Sequence, residues 1–252
     1  MDLTIIVPTR NRNTSVVECV LALERNEVDI IVVDDASEEP LALLSKRARV
    51  IRHDRRRGRS ASINTGLKAA LHDPVLIMDD DIYAGPGMLA RLTKEFAAHK
   101  HSKLGLKPRV TWDPDLPLTP TMKWMEAVHK FASPMLLSRS FVLQNGGYDE
   151  NFTRRLEDTE LELRLVQHGL EMRRMESAVG FQRNILKIVD LVEREFMEGI
   201  SAVFLHAKFP QFMPQVDNIE LLLKNEAQAA DAEAAVEEIA VMEKTQSCEL
   251  PA

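Results

Sequence analysis

The sequence predicts an α/β protein: a mostly parallel sheet flanked by helices, with a C-terminal helical extension. Three observations lead there. Short apolar runs recur at Leu3–Val7, Asp29–Val33, Arg49–Ile51 and Val75–Met78. Two of them, TIIV and DIIVV, are continuous and β-branched, the texture of strands covered on both faces. Between the runs lie stretches with helical spacing, and strand–helix alternation with short connections reads as βαβ units.

The elements follow in order. TSVVECVLALERN, EEPLALLSKRA and GRSASINTGLKAAL are the expected helices between the first four strands, and GMLARLTKEFAAHK is expected as another after Pro86. From Ser102 to Tyr148 the pattern is less regular. TWDPDLPLTPTMKW carries Pro114, Pro117 and Pro120 and reads as a long loop. ASPMLLSRSFVL reads as a strand entering a helix, NGGYDENF as a turn, and LEDTELELRLVQHG as a helix stopped by Gly169. Helices are expected over Asn184–Lys208 and roughly 216–245. The last is rich in Ala and Glu, strong helix formers with little bulk to bury. The expected organisation is a main domain over 1–210, divided at 100 and 183 into two halves and a C-terminal helix. A helical tail follows over 211–252.

Composition narrows the function classes. The 252 residues are 45% apolar and 28% charged, the balance of a protein with a sizeable core. A net charge of −7 argues against a nucleic-acid partner. Cys19 and Cys248 stand far apart without metal-type spacing, as in a reducing compartment. The opening MDLTIIVPTR has no basic n-region, and no apolar run approaches the ~20 residues that span a bilayer. The expected location is cytoplasmic, with attachment at the inner membrane face through the C-terminal helices as one option and oligomer contact as another.

Chemistry gathers at the strand ends. In an open α/β sheet, ligands bind beyond the carboxyl ends of the strands. Those ends here read PTRNR (Pro8–Arg12), DDAS (Asp34–Ser37) and DDD (Asp79–Asp81). Three carboxylates behind a buried strand either make a solvated acidic turn or suit a hard divalent cation, Mn²⁺ or Mg²⁺, whose shell is completed by substrate phosphates. One aspartate of DDAS is a natural helix N-cap, while the other is placed to accept hydrogen bonds from a base or ribose. Asp158 shares a helix face with Leu161 and Leu165, so it points inward; Glu157 lies near the same face, and spacing alone does not choose between them. Both also favour the positive N-terminal end of that helix whatever their function.

Taken together, TIIVPTRNR, IIVVDDAS, GRSASINTGLKAA, LIMDDDIYAGPGML and GGYDENFTRRLEDTELELRLVQHG resemble, in order over about Leu3–Gly169, the inverting GT-A glycosyltransferases of family 2, non-processive bacterial and archaeal type. REFMEGISAVFLHAKFP also resembles the C-terminal helix of bacterial members. The resemblance implies a GT-A fold and transfer of one sugar from a nucleotide-sugar donor to a glycan or lipid-linked acceptor. It places Pro8, Thr9, Arg10, Asn11, Asp34, Asp35, Asn64, Asp79 and Asp80 at the nucleotide sugar. It places Asp81 or Asp80 on the metal and makes Asp158 of the ED motif the catalytic base. Glu157 and Trp124 fall on the acceptor side. The Q-x-x-R-W motif of processive members is absent from the sequence, whose only tryptophans are Trp112 and Trp124.

Several features carry two readings. Arg52, Arg55, Arg56, Arg57 and Arg59 form either a solvated basic loop or an aid to phosphate binding at a helix start. Met122, Trp124, Met125 and Phe131 are either core or the lining of an acceptor cleft. His129 and His168 read as structural or surface residues. A sugar nucleotidyltransferase is the runner-up enzyme, but PTRNRNTS lacks the glycines of a phosphate loop. An inactive GT-A-like module binding partners through its tail is the non-enzymatic alternative.

Overall fold

The computed structural model describes residues 2–41, 45, 47–99, 103–119, 122–123, 134–152, 155–184 and 188–210. The chain divides into two compact units, Met1–Ser201 and Ala202–Ala252. The first carries the sheet and the site. Of the second, the described residues are the end of the last helix and Phe209–Pro210. The expected tail helix lies outside the described residues, as do Trp124, Met125, His129 and Phe131.

Strands β1 (Thr4–Thr9), β2 (Asp29–Asp34), β3 (Ala48–Arg52) and β4 (Val75–Ile77) stand where the apolar runs place them. They pair in parallel in the order β3-β2-β1-β4. Parallel pairing forces crossovers, and in a fully covered strand successive side chains feed opposite faces. Leu3, Ile5, Val7, Ile30 and Val32 accordingly pack with Val16, Cys19, Val20 and Leu23 of α1 (Asn13–Glu24) and with Leu89 and Leu92 of α3 (Met88–Ala98). Their neighbours Ile6, Ile31 and Val33 face the other way, onto Ile63 and Leu67 of α2 (Arg59–Ala69). Phe141 and Val142 of α4 (Arg139–Gln144) and Leu161 and Leu165 of α5 (Glu157–Gln167) complete that layer.

The other half of the sheet turns mixed. β5 (Ile82–Ala84), β6 (Leu104–Trp112), β7 (Met135–Leu137) and β8 (Glu171–Gln182) extend it in the order β4-β7-β6-β8-β5, and β7 runs antiparallel to β4 and β6. β5, β6 and β8 go beyond the sequence expectation. β6 contains Pro108, which lacks an N–H, and its pairing with β8 shifts register at Pro108/Arg109. β8 carries charges on its exposed half, EMRRMESAVGFQ, and so lacks a clean alternation. The helix expected over EEPLALLSKRA is not confirmed: residues 42–44 and 46 lie outside the described set, 38–41 are not helical, and Ala48 already belongs to β3. The last helix, α6 (Ile188–Lys208), falls within its expected span. Met122 is fully buried and its carbonyl accepts the Trp112 indole N–H at 2.9 Å, which favours the core reading of that residue.

Parallel pairing brings the ends of β1, β2 and β4 to one edge, so Thr9, Asp34 and Asp79–Asp81 come out side by side. The approach of α2 to β1 is set by Gly66, where a Cβ would lie 2.4 Å from Ile6 Cγ2. Ala is the better helix former by about 1 kcal/mol, but overpacking costs about 1–3 kcal/mol. Gly66→Ala is therefore expected to lower the urea midpoint. A raised midpoint contradicts this packing.

Candidate active site

β1 ends at Thr9, and its hydroxyl donates to Asp80 Oδ2 at 2.6 Å, tying the first loop to the acidic turn. Arg12, at the start of α1, reaches the same turn. Its Nη1 donates to Asp80 Oδ1 at 2.7 Å and its Nη2 to Asp81 Oδ2 at 3.0 Å. A second arginine, Arg59, opens α2 behind Gly58, whose φ of 92° turns the chain into the helix. Arg59 Nη2 lies 2.7 Å from Asp79 Oδ1 and 3.4 Å from Asp158 Oδ2, and its Nε lies 2.9 Å from Glu157 Oε1. Two guanidiniums, from the starts of α1 and α2, thus engage five carboxylates of the turn after β4 and of α5, which leaves the edge negative.

Glu157 and Asp158 occupy the first turn of α5, and Leu156 before them holds φ at 60°, an uncommon conformation for a leucine that fixes how the helix enters the site. Tyr148 donates its hydroxyl to Asp158 Oδ1 at 2.8 Å. Tyr148 is itself held by Asn64, whose Oδ1 accepts from Tyr148 N at 2.8 Å and whose Nδ2 donates to Tyr148 O at 2.9 Å and Glu150 Oε1 at 3.1 Å. A Cβ on Gly147 would sit 2.7 Å from Asn64 Oδ1, and its φ is 70°, so glycine is required there.

The electrostatics follow from crowding. Burial, with repulsion from Asp81 and Asp79, pushes the Asp80 carboxyl up to about 6 against the pull of Arg12 and Thr9. Asp81 is also raised, by burial and by Asp79. Burial pushes Glu157 up to about 7, with Arg59 opposing and Asp158 and Asp79 adding repulsion. Burial disfavours the Arg59 charge, but Asp79, Asp158 and Glu157 more than offset it and raise its pKa. Burial and the Asp158 carboxylate raise the Tyr148 hydroxyl, which stays a donor.

The second-strand aspartates are engaged internally. Asp34 accepts from Ser37 N at 2.9 Å and from Arg52 Nη1. Burial alone would raise it, yet these bonds hold it below the usual carboxylate range. Asp35 Oδ1 lies 2.8 Å from His53 Nδ1 and accepts from Arg57 N at 2.8 Å, while its Oδ2 accepts from Gly58 N at 2.8 Å. Asn11, at φ 55°, donates its backbone N–H to Ser37 Oγ at 2.8 Å and pairs reciprocally with Glu38, its Nδ2 donating to Glu38 Oε1 and its Oδ1 accepting from Glu38 N. Arg10 Nε is buried without a hydrogen-bond partner, as are Arg59 Nη1 and Glu157 Oε2. Pro8 is the β1 residue opposite Val33.

The structure therefore brings together Thr9, Asp79, Asp80, Asp81, Glu157 and Asp158. It places Asn64, Asp34 and Asp35 in supporting bonds beside them. Of the arginine run, Arg52 and Arg59 are built into the site, Arg57 reaches Glu150 at 3.3 Å, and Arg55 and Arg56 are exposed. Arg12 and Tyr148 were missed by sequence reasoning. No periodicity marks them, since each acts through side-chain reach across the sheet edge.

The oxygen donors fit a hard cation. Asp80 and Asp81 already converge on one cationic group, Arg12. No cluster of three or more His, Cys, Asp or Glu side chains arranged for a metal occurs among the described residues.

Comparison with known proteins agrees with this architecture. The sequence profile of glycosyl transferase family 2 matches residues 4–131, just over half of the chain. A pre-mycofactocin glycosyltransferase of Mycobacterium tuberculosis is 26% identical over 239 residues, covering 83% of this chain and 48% of its own. The chain thus spans about half the length of that relative. S. aureus TarS 1–349, solved with UDP-GlcNAc, superposes with a TM-score of 0.58 at 16% identity, over 74% of this chain and 60% of its own. The mannosyltransferase PcManGT from Pyrobaculum calidifontis, solved with GDP-Man and Mn²⁺, gives 0.55 at 17% identity, over 74% and 57%. The fold is GT-A, and the chain belongs to glycosyl transferase family 2, a family of glycosyl-transferring enzymes. No helix among the described residues is long and apolar enough to cross a membrane.

Glu157 offers a test of the site electrostatics. An acid whose folded pKa lies above its ordinary 4.5 stabilises the fold fully below that value, and the contribution is lost as pH rises through about 7. Glu157→Gln keeps the neutral shape beside Arg59, Asp158 and Asp79. The Tm of the variant minus that of the wild type should grow from about pH 5 to about pH 8. A flat difference contradicts the assignment.

Proposed function

We propose that this protein transfers one sugar from a nucleoside diphosphate sugar to an acceptor hydroxyl, with inversion at the anomeric carbon. The observation that carries this reading is the gathering of Asp79–Asp81 and Asp158 at one sheet edge, joined through Arg59. The acceptor class is a glycan or a lipid-linked precursor. The donor class follows from relatives and neighbours whose names and ligands are glycosyltransferases and nucleotide sugars.

In this reading Asp80 and Asp81 hold Mn²⁺ or Mg²⁺, which when bound supplies Lewis-acid neutralisation of the leaving diphosphate. Asp79 contacts the ribose or sugar. Pro8, Thr9, Arg10 and Asn11 border the nucleotide, and Arg10 Nε and Arg59 Nη1 are unused donors for an anion. Asp34 and Asp35 shape the base side through Arg52 and His53, and Asn64 acts by holding Tyr148. Asp158 takes the proton from the acceptor hydroxyl as general base, and the Tyr148 O–H and Arg59 fix its orientation. Glu157 lies on the acceptor side, and Trp124 is proposed there as well. Binding and orientation supply the rest of the rate.

The absence of glycines in PTRNRNTS counts against the nucleotidyltransferase. The test is nucleoside diphosphate release from UDP-, GDP-, dTDP- and CDP-sugars with a panel of hydroxyl acceptors, followed by NMR of the product anomer. Asp158→Asn is expected to slow transfer by about 100- to 10,000-fold while donor binding persists. Unchanged transfer in that variant, or retained anomeric configuration in the wild-type product, contradicts the reading.

A further inference from the structure

A guanidinium fork usually grips one carboxylate with two parallel bonds. Arg12 does something else: its two terminal nitrogens go to two different residues, Asp80 and Asp81, at 2.7 and 3.0 Å. The remaining oxygen of Asp80 accepts from Thr9 at 2.6 Å. The Arg12 side chain is 40% exposed, whereas those of Asp80 and Asp81 are 5% and 9% exposed. The guanidinium therefore lies between the pair and water. It is a cation tethered to the chain at the carboxylates to which the proposed function assigns the metal ion.

Moving Arg12 away exposes two buried carboxylates and strips the guanidinium of both partners. Arg12 already neutralises the pair through two charge-assisted hydrogen bonds, so a lone hydrated ion must displace a bound cation before it can bind. A nucleoside diphosphate changes the balance. It brings anionic oxygens that accept the released fork and also complete the shell of the incoming ion.

We infer that Arg12 is an internal counter-ion that keeps free divalent cations off Asp80 and Asp81 until a nucleoside diphosphate arrives to take up its guanidinium. Metal and nucleotide then bind as a coupled pair, each raising the affinity for the other by the same factor. The inference rests on the metal–diphosphate reading of the site and adds an order of events to it.

The test is Mn²⁺ binding followed by the EPR signal of the free ion, for wild type, Arg12→Gln and Arg12→Lys, first without nucleotide and then with UDP or GDP against nucleotide-only controls. Without nucleotide, Arg12→Gln should bind Mn²⁺ about ten-fold or more tightly than wild type, a shift of about 1.4 kcal/mol. Arg12→Lys keeps the charge but loses the fork, and should fall between them. Nucleotide should raise Mn²⁺ affinity strongly in wild type and less in Arg12→Gln. Equal Mn²⁺ affinity in all three proteins overturns the inference, as does a nucleotide enhancement of equal size in wild type and Arg12→Gln. The latter result leaves the metal–diphosphate reading standing. Absence of Mn²⁺ binding by every protein, with and without nucleotide, overturns both.

Discussion

Five carboxylates and two guanidiniums at the edge of one sheet set the terms for the rest of this molecule. Buried like charges are costly, and these are tolerated because Arg12 and Arg59 reach them from the starts of two different helices. Arg59 alone joins the end of β4 to the start of α5, so the acidic turn and the ED pair share one counter-charge. The placement of α2 against β1 at Gly66, and of Tyr148 against Asn64 at Gly147, keeps those reaches short.

The incomplete neutralisation is what gives the edge a use. Burial, with repulsion among the carboxylates, raises the pKa values of Asp80, Asp81 and Glu157 despite Arg12 and Arg59, and buried polar atoms of Arg10, Arg59 and Glu157 lack hydrogen-bond partners. Structural ion-pair networks elsewhere in the chain, such as Arg164 with Glu160, satisfy their members fully with carbonyls as well. An edge that needs added cations and anions together is suited to a metal-bound diphosphate. The hydrogen bonds and ion pairs that hold Asp158, Tyr148 and Asn64 suit a reaction whose rate comes from placing a donor, an acceptor and a base.

Much of this was legible in the sequence. β1, β2 and β4 were visible because continuous β-branched runs mark strands covered on both faces, and α1, α3 and α5 because their apolar spacing follows the helical period. The aspartates at the strand ends were legible from position alone. β5 was not, being three residues long, and β6 hid its strand behind Pro108 at a register shift. β8 hid behind an exposed, charged half. The arginine pairing could not be read, because a long flexible side chain chooses partners across the fold and leaves no trace in local pattern. The same holds for Tyr148, whose sequence neighbourhood shows only a glycine turn.

The claim that this charged edge is a donor site is tested most directly by calorimetric titration with UDP, GDP, dTDP and CDP, with and without Mn²⁺, on wild type and Asp81→Ala. The account predicts that at least one nucleotide binds, that binding strengthens with Mn²⁺, and that the variant loses the strengthening. Failure of all four nucleotides to bind under either condition would make the acidic run a structural turn and contradict the account.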